Sequence, residues 1–339
     1  MVNSGSSANL IAIASLFYKK KNPLKIGDEV LVPAVAWSTT YSPLQQMGLK
    51  LKVIDIDIKD FNINFDLLKK AISKKTKLIL AVNLLGIPCE LEKIRKICDK
   101  KKIYLMEDNC ESLGAKINNK KAGSFGDLSS HSFFYSHHIS TMEGGMVSTD
   151  NYELYCILKA LRAHGWSRDL PKKNILNSKT NKKNNFYEEY KFLLPGYNVR
   201  SGELNAAVGL VQIKKLDNLI NIRRKNLKIF NDLFKDNSNF VIPQTNFFSS
   251  SFSFPIIIKN KNINYKLKVF NTLKKNKIDF RLIAGGCFVS QEYSKYFDYK
   301  VFKNIKNSNT LHKQGFMIGN APVDLSKQIT KLYDVLSKV

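Results

Sequence analysis

Short apolar runs recur through the first half of the chain: Glu29–Val32, Leu51–Ile56, Leu78–Val82, Ile103–Met106, Ser129–Phe134 and Gly145–Ser148. Several are rich in Val and Ile, as expected of strands buried on both faces of a parallel sheet. Between them, Phe65–Lys74 and Leu91–Lys101 space apolar residues three and four apart, the signature of a helix with one buried stripe. Asn9–Phe17 reads as a further helix. This alternation predicts an α/β domain of three layers, with helices on both faces of a mostly parallel sheet. After residue 200 the pattern changes. A long helical stretch, about Gly202 to Phe234, is followed by a strand-like run (Ser251–Ile258), a helix (Tyr265–Lys275), a strand (Asp279–Ile283) and a terminal helix (Leu325–Ser337). The expected organisation is a large domain over 1–200, then a linking helix and a smaller α+β domain over 201–339. Between Asn174 and Lys191 the chain is polar and rich in Lys and Asn, which reads as a long surface loop.

Composition adds a charge of +26 over 339 residues, from 54 Lys+Arg against 28 Asp+Glu. Nucleic-acid binders cluster Arg and aromatics on one face. Here only seven of the basic residues are Arg, and the lysines are spread along the whole chain. The charge therefore reads as a solvated Lys-rich surface and no nucleic-acid partner is expected. No run approaches the ~20 apolar residues of a membrane helix, and no secretory signal is expected, since MVNSGSSANL has no basic stretch followed by an apolar one. The five cysteines contain no CxxC pair, so no metal centre is expected, and reduced thiols point to a cytoplasmic protein.

Four local constellations carry chemistry. Ser4-Gly5-Ser6-Ser7 opens a helix, where small hydroxyl residues either cap the helix or offer hydroxyl and N–H groups to a phosphate. Glu107, Asp108 and Glu111 lie at the carboxyl end of an apolar strand, where ligands of open α/β sheets bind. Ser132-Phe-Phe-Tyr-Ser-His137-His138 leads to Gly144-Gly145 between two strand candidates. In an extended segment adjacent histidines point to opposite faces, so one of the two at most serves a given site. Leu194-Pro-Gly-Tyr-Asn198-Val-Arg200 is either a plain turn or a presentation of Asn and Arg to an anion.

In this order, and over essentially the whole chain, these motifs resemble the DegT/DnrJ/EryC1/StrS sugar aminotransferase family, pyridoxal-phosphate enzymes of fold type I. The family segment Ser-Phe-x-x-x-Lys-x-Ile-x-x-x-Glu-Gly-Gly carries the lysine that tethers the cofactor; this chain has His137 at that place. An imidazole cannot replace the lysine amine in that bond, but it moves protons near neutral pH. A His here is similar to the pyridoxamine-phosphate-dependent sugar 3-dehydratase branch. The run Arg162–Arg200 contains no Cys, unlike the branch with an iron–sulfur cluster, and looks like the colitose-type enzymes. So do Ala36-Trp37-Ser-Thr-Thr and Glu107-Asp-Asn-Cys-Glu111.

The resemblance implies roles. Gly5, Ser6, Ser7 and Ser132 would hold the cofactor phosphate. Trp37 would stack on the ring, Asp108 would pair with the ring nitrogen, and Glu111 would sit by the ring hydroxyl. Asn198 would reach the phosphate of a neighbouring subunit, implying a homodimer with shared sites, and Arg200 would contact substrate. His137 would be the catalytic base. The implied reaction removes the C3 hydroxyl of a nucleotide-linked 4-keto-6-deoxyhexose, GDP-4-keto-6-deoxymannose-like, in dideoxysugar and O-antigen synthesis. It would release ammonia, with L-glutamate as amino donor and no iron–sulfur cluster. The alternatives are an aminotransferase that tolerates His137 and a non-catalytic relative, since family members carry a longer segment before the phosphate turn. Arg281-Leu-Ile-Ala-Gly-Gly-Cys-Phe288 and Asn320-Ala-Pro322 depart from the colitose-type pattern.

Overall fold

The structure is a computed structural model and describes residues 1–171, 174–176, 190–246 and 248–339. Its strands are β1 Glu29–Pro33, β2 Lys50–Ile54, β3 Thr76–Val82, β4 Tyr104–Asp108, β5 Lys116–Ile117, β6 Lys120–Lys121, β7 Leu128–Ser132, β8 Gly145–Ser148, β9 Phe240–Val241, β10 Ser253–Ile258, β11 Tyr299–Val301 and β12 Gly315–Gly319. Its helices are α1 Gly5–Phe17, α2 Ser38–Gln46, α3 Phe65–Ala71, α4 Leu91–Lys101, α5 Tyr152–Arg162, α6 Glu203–Ile213, α7 Leu216–Phe234, α8 Ile263–Lys275, α9 Lys306–Gln314 and α10 Ser326–Ser337.

Seven strands form the main sheet in the order β11-β2-β1-β3-β4-β7-β8, parallel except for the antiparallel β7–β8 pair. Side chains alternate across it as the strand period demands. Val30, Val32, Leu78, Leu80 and Met106 face a layer made by α1, α2 and α5. Leu31, Ile79, Ala81 and Leu105 face α3 and α4, through Leu68, Leu91, Ile94 and Cys98. Both faces are covered, which is why these strands read as nearly unbroken apolar runs. Helix α1 is buried on most of its circumference and packs against β7 and β8, so its amino end meets the carboxyl tip of β7.

The smaller layer is the antiparallel sheet β12-β10-β9, covered by α7, α8 and α10 over a Phe-rich core. Phe230 stacks on Phe234 and on Phe254, each at 4.7 Å between ring centroids. The chain beyond 201 does not stay there. Ile283, Cys287 and Phe288 pack into the core of the large sheet, and β11 adds to its edge beside β2.

Two expected elements differ. The single helix expected over Gly202–Phe234 is two, α6 and α7, separated at Lys214–Lys215, where the Lys215 N–H bonds back three residues to Gln212. The strand expected at Asp279–Ile283 is reduced to one bridge, Arg281 to Met317. Ala284, Gly285 and Gly286 follow with φ of 41°, 75° and 81°, and this left-handed turn takes the chain away from β12. Most of the polar loop expected over Asn174–Lys191 lies outside the described residues.

Candidate active site

A cavity of about 350 Å³ opens at the carboxyl ends of the parallel strands, bounded by the start of α1, the start of α2 and the loop after β7. Gly5, Ser6, Trp37, Asp108, Glu111, Ser132 and His137 all line it. So do Phe134 and Phe252, and one cation, Arg281; no lysine does among the described residues, although the chain has 47.

The start of α1 is built as an anion cradle. Ser4 caps the helix, its Oγ accepting the Ser7 N–H at 3.1 Å. The first helical bond is Ala8 N–H to Ser4 O, so the N–H groups of Gly5 and Ser6 precede the ladder, at the positive end of the dipole. Ser132, the last residue of β7, closes the cradle from the other side. A Cβ on Gly5 would stand 2.6 Å from Ser132 Cβ and 3.1 Å from Cys110 Sγ, so only glycine allows this approach. Ser7 is occupied in the cap, accepting from Ser4 Oγ at 3.0 Å, and does not line the cavity.

Glu107 and Asp108 are consecutive in β4 and so point to opposite faces. Glu107 turns away from the cavity. It accepts from the N–H groups of Gly123, Phe125 and Gly126 at 2.6, 2.7 and 2.7 Å and fixes that turn. Asp108 faces the cavity. Its Oδ2 accepts from Asn9 Nδ2 at 2.9 Å and from Thr40 Oγ1 at 2.8 Å, so its carboxylate is held in one orientation. Asn9 and Thr40 were not among the expected site residues. Asn9 lies four residues after Gly5, on the same face of α1, and Thr40 lies three after Trp37; those spacings were the available signal. Glu111 accepts the Leu85 N–H at 2.9 Å. Burial, with the Asp108 charge added, pushes its carboxyl up to about 7. Trp37 stands at the head of α2, 58% exposed, with an aromatic face open at the cavity mouth.

His137 lies between the rings of Phe134 and Phe252, at centroid distances of 6.1 and 5.6 Å. Burial lowers its pKa below the ordinary histidine value, more than the nearby Asp108 raises it. The ring is neutral at pH 7, and its buried Nδ1 has no hydrogen-bond partner among the described residues. His138, the neighbour, does not line the cavity and bonds the Ser250 carbonyl at 2.5 Å.

Residues 1–336 match the profile described as the DegT/DnrJ/EryC1/StrS aminotransferase family. The chain belongs to that family. Among its relatives is the GDP-4-keto-6-deoxy-D-mannose 3-dehydratase of Yersinia pseudotuberculosis, 48% identical over the whole of this chain and 86% of that protein. A solved structure of the E. coli GDP-4-keto-6-deoxy-D-mannose-3-dehydratase with bound hydrated PLP matches at TM-score 0.95 and 48% identity, covering 99% of this chain and 86% of that one. A structure of the same kind of enzyme, with a trapped PLP–glutamate geminal diamine, matches equally well at TM-score 0.95 and 48% identity, over 99% and 87% of the two chains. The fold is that of the fold type I enzymes of this family.

Asn198 and Arg200 lie outside this cavity. Both are exposed, bonded to each other at 3.3 Å, with Arg200 also 3.3 Å from His164 Nε2. Helix α6 follows them and buries no residue; Leu204, Leu210 and Val211 are 80, 69 and 55% exposed. Among the described residues no helix is long and apolar enough to cross a membrane, and no group of three His, Cys, Asp or Glu side chains gathers as a metal site.

Proposed function

We propose that this chain dehydrates a nucleotide-linked 4-keto-6-deoxyhexose of the GDP-4-keto-6-deoxymannose type at C3, releasing ammonia, with pyridoxal or pyridoxamine 5′-phosphate as cofactor and L-glutamate as amino donor. The observation that carries this reading is the cavity wall: a phosphate cradle, a locked carboxylate and a neutral imidazole, with no lysine among the described residues. A transaminase of this family needs that lysine amine. The cradle at Gly5, Ser6 and Ser132, which a single Cβ would fill, fits a phosphate.

When bound, the cofactor ring supplies an electron sink for the bond changes at the sugar. The chain's residues do the rest. Asp108, held by Asn9 and Thr40, would keep a protonated ring nitrogen charged. Glu111, whose carboxyl is raised to about 7 and so exchanges a proton near neutral pH, would meet the ring hydroxyl. Trp37, at the cavity mouth, would cover one face of the ring. His137 takes a proton in its neutral form and returns it to the departing C3 hydroxyl. With no lysine among the described lining residues to recapture it, the sugar imine would leave and take up water, giving the ketone and ammonia. Arg281, the one lining cation among the described residues, suits a substrate or glutamate anion.

We further propose a homodimer closed over α6, which covers that helix's apolar face and carries Asn198 and Arg200 towards the partner's site. Reduced cysteines and an anionic sugar-nucleotide substrate fit a cytoplasmic step of lipopolysaccharide sugar synthesis.

The test is spectroscopic and chemical. Purified protein is mixed with pyridoxal phosphate and glutamate, and the absorbance is followed. GDP-4-keto-6-deoxymannose is then added, and ammonia and the 3,6-dideoxy product are measured. His137→Asn abolishes dehydration and keeps cofactor binding. A stable aminosugar without ammonia refutes the dehydratase reading.

A further inference from the structure

We infer that Arg223 is a positioning residue for His137, a guanidinium on α7 that grips the backbone of the His137–His138 loop and ties it to the small domain. The inference rests on the reading of His137 as the proton carrier.

Arg223 is 5% exposed, and no carboxylate pairs with it among the described residues. All three of its bonds go to backbone carbonyls. Nη2 donates to His137 O at 3.3 Å, Nη1 to His138 O at 3.3 Å, and Nε to Asn320 O at 3.0 Å. Asn320 answers from the far side, its Nδ2 donating to Arg223 O and Ser251 O, both at 3.0 Å, and its Oδ1 accepting from Asn226. The His138 ring adds its bond to Ser250 O.

The loop has little support of its own. Its own backbone ties near the base are His137 N–H to Phe134 O and Thr141 N–H to Phe133 O, and Asn205 on α6 holds only the far end, at Thr141 O and Glu143 O. Arg223 therefore supplies the main external hold on the carbonyls flanking the base. The choice of side chain is telling in a chain that uses 47 Lys and seven Arg. A guanidinium reaches three fixed carbonyls from three separate nitrogens held in one plane, whereas the three donors of an ammonium all leave a single nitrogen on a flexible stem. A buried charge without a counter-ion is costly, and the carbonyl oxygens are what compensate it here. The same cation also acts on the His137 ring through space. Burial lowers the ring's pKa; the Arg223 charge adds to that, and Asp108 on β4 opposes it. Glu111, Glu143 and Arg281 line the same cavity, and the adjacent His138 is neutral.

The experiment compares Arg223→Met, Arg223→Lys and His137→Asn in the full chain. On the cofactor-loaded enzyme, both Arg223 variants lower kcat ~10–100-fold, as a displaced base does, while KM for the sugar nucleotide stays within about twofold. On the cofactor-free protein, labelled-histidine NMR follows the His137 titration, assigned by its loss in His137→Asn. Arg223→Met raises the His137 pKa. Arg223→Lys keeps the charge and leaves that pKa in place, yet still loses rate. A folded Arg223→Lys with wild-type kcat, or Arg223→Met with an unmoved His137 titration, overturns the inference. If Arg223→Met does not fold, Arg223→Lys alone decides it. Should His137→Asn keep full turnover, the reading of His137 itself falls, an outcome separate from the other two.

Discussion

Gly5→Ala sets two known effects against each other. In a helix interior, Ala is favoured over Gly by up to ~1 kcal/mol. At this place the new Cβ would stand 2.6 Å from Ser132 Cβ, and ordinary contact begins at 3.4 Å. Neither atom is the free end of a flexible side chain. One belongs to the first turn of α1 and the other to the tip of β7, so helix and strand must part by about 0.8 Å, the difference of those two distances. Overpacking of this kind costs ~1–3 kcal/mol. Helix propensity offsets part of it, and the loss of stability is small, ~1 kcal/mol. The phosphate cradle suffers more. Widening it by that amount carries a 2.8 Å hydrogen bond out to about 3.6 Å, beyond bonding range. One charge-assisted bond is worth ~1.5–3 kcal/mol, so pyridoxal phosphate should bind ~10–100-fold more weakly. Absorbance titration with the cofactor gives the Kd, and a thermal melt of the cofactor-free protein gives the stability. A Kd within twofold of wild type, with an unchanged melt, would refute the placement of the phosphate between Gly5 and Ser132.

Other predictions follow from the same structure. Glu29→Gln leaves Lys52, 2.7 Å away and 7% exposed, as a buried charge without its partner, and should cost ~3 kcal/mol in denaturant unfolding. The hydrogen bonds of Lys52, Thr76 and Ser73 outweigh burial and hold the Glu29 carboxyl at about 2, so its contribution is complete above the unfolded value near 4.5 and fades as pH falls towards 2; Glu29→Gln should flatten that part of the stability–pH curve. Glu111→Gln should remove a step near pH 7 from the absorbance of the bound cofactor, because the wild-type carboxyl is neutral below that pH and charged above it. Leu210→Asp on α6 should turn the proposed dimer into a monomer by sedimentation equilibrium, without shifting the circular dichroism spectrum.

The buried strands were legible because both of their faces are covered: β1, β3 and β4 each read as apolar runs with boundaries close to those observed. Asp108 and Glu111 were legible for the same reason, lying just where such a run ends. What joins them was not. Asn9 and Thr40 reach Asp108 from 99 and 68 residues away, and no local pattern carries such a pairing. The break between α6 and α7 was hidden too, because the apolar spacing continues through Lys214 and Lys215. β11 escaped notice because Tyr-Lys-Val is three residues long at a sheet edge, where a lysine side chain can run to solvent. Ser7 looked like its neighbours Gly5 and Ser6 in sequence, and only the Ser4 cap separates their roles.

The edge strand β11 has a consequence for how the molecule is made. Tyr299 pairs with Leu51, and Lys300 reaches Glu29 at 3.2 Å, so the outer edge of the main sheet is finished by chain emerging some 250 residues later. Contacts this distant in sequence close slowly. During synthesis β2 leaves the ribosome with an open hydrogen-bonding edge and must wait for most of the polypeptide before that edge is covered. A nascent chain stalled before residue 299 would present an unpaired strand to its neighbours, the kind of surface that chaperones shield and aggregates recruit.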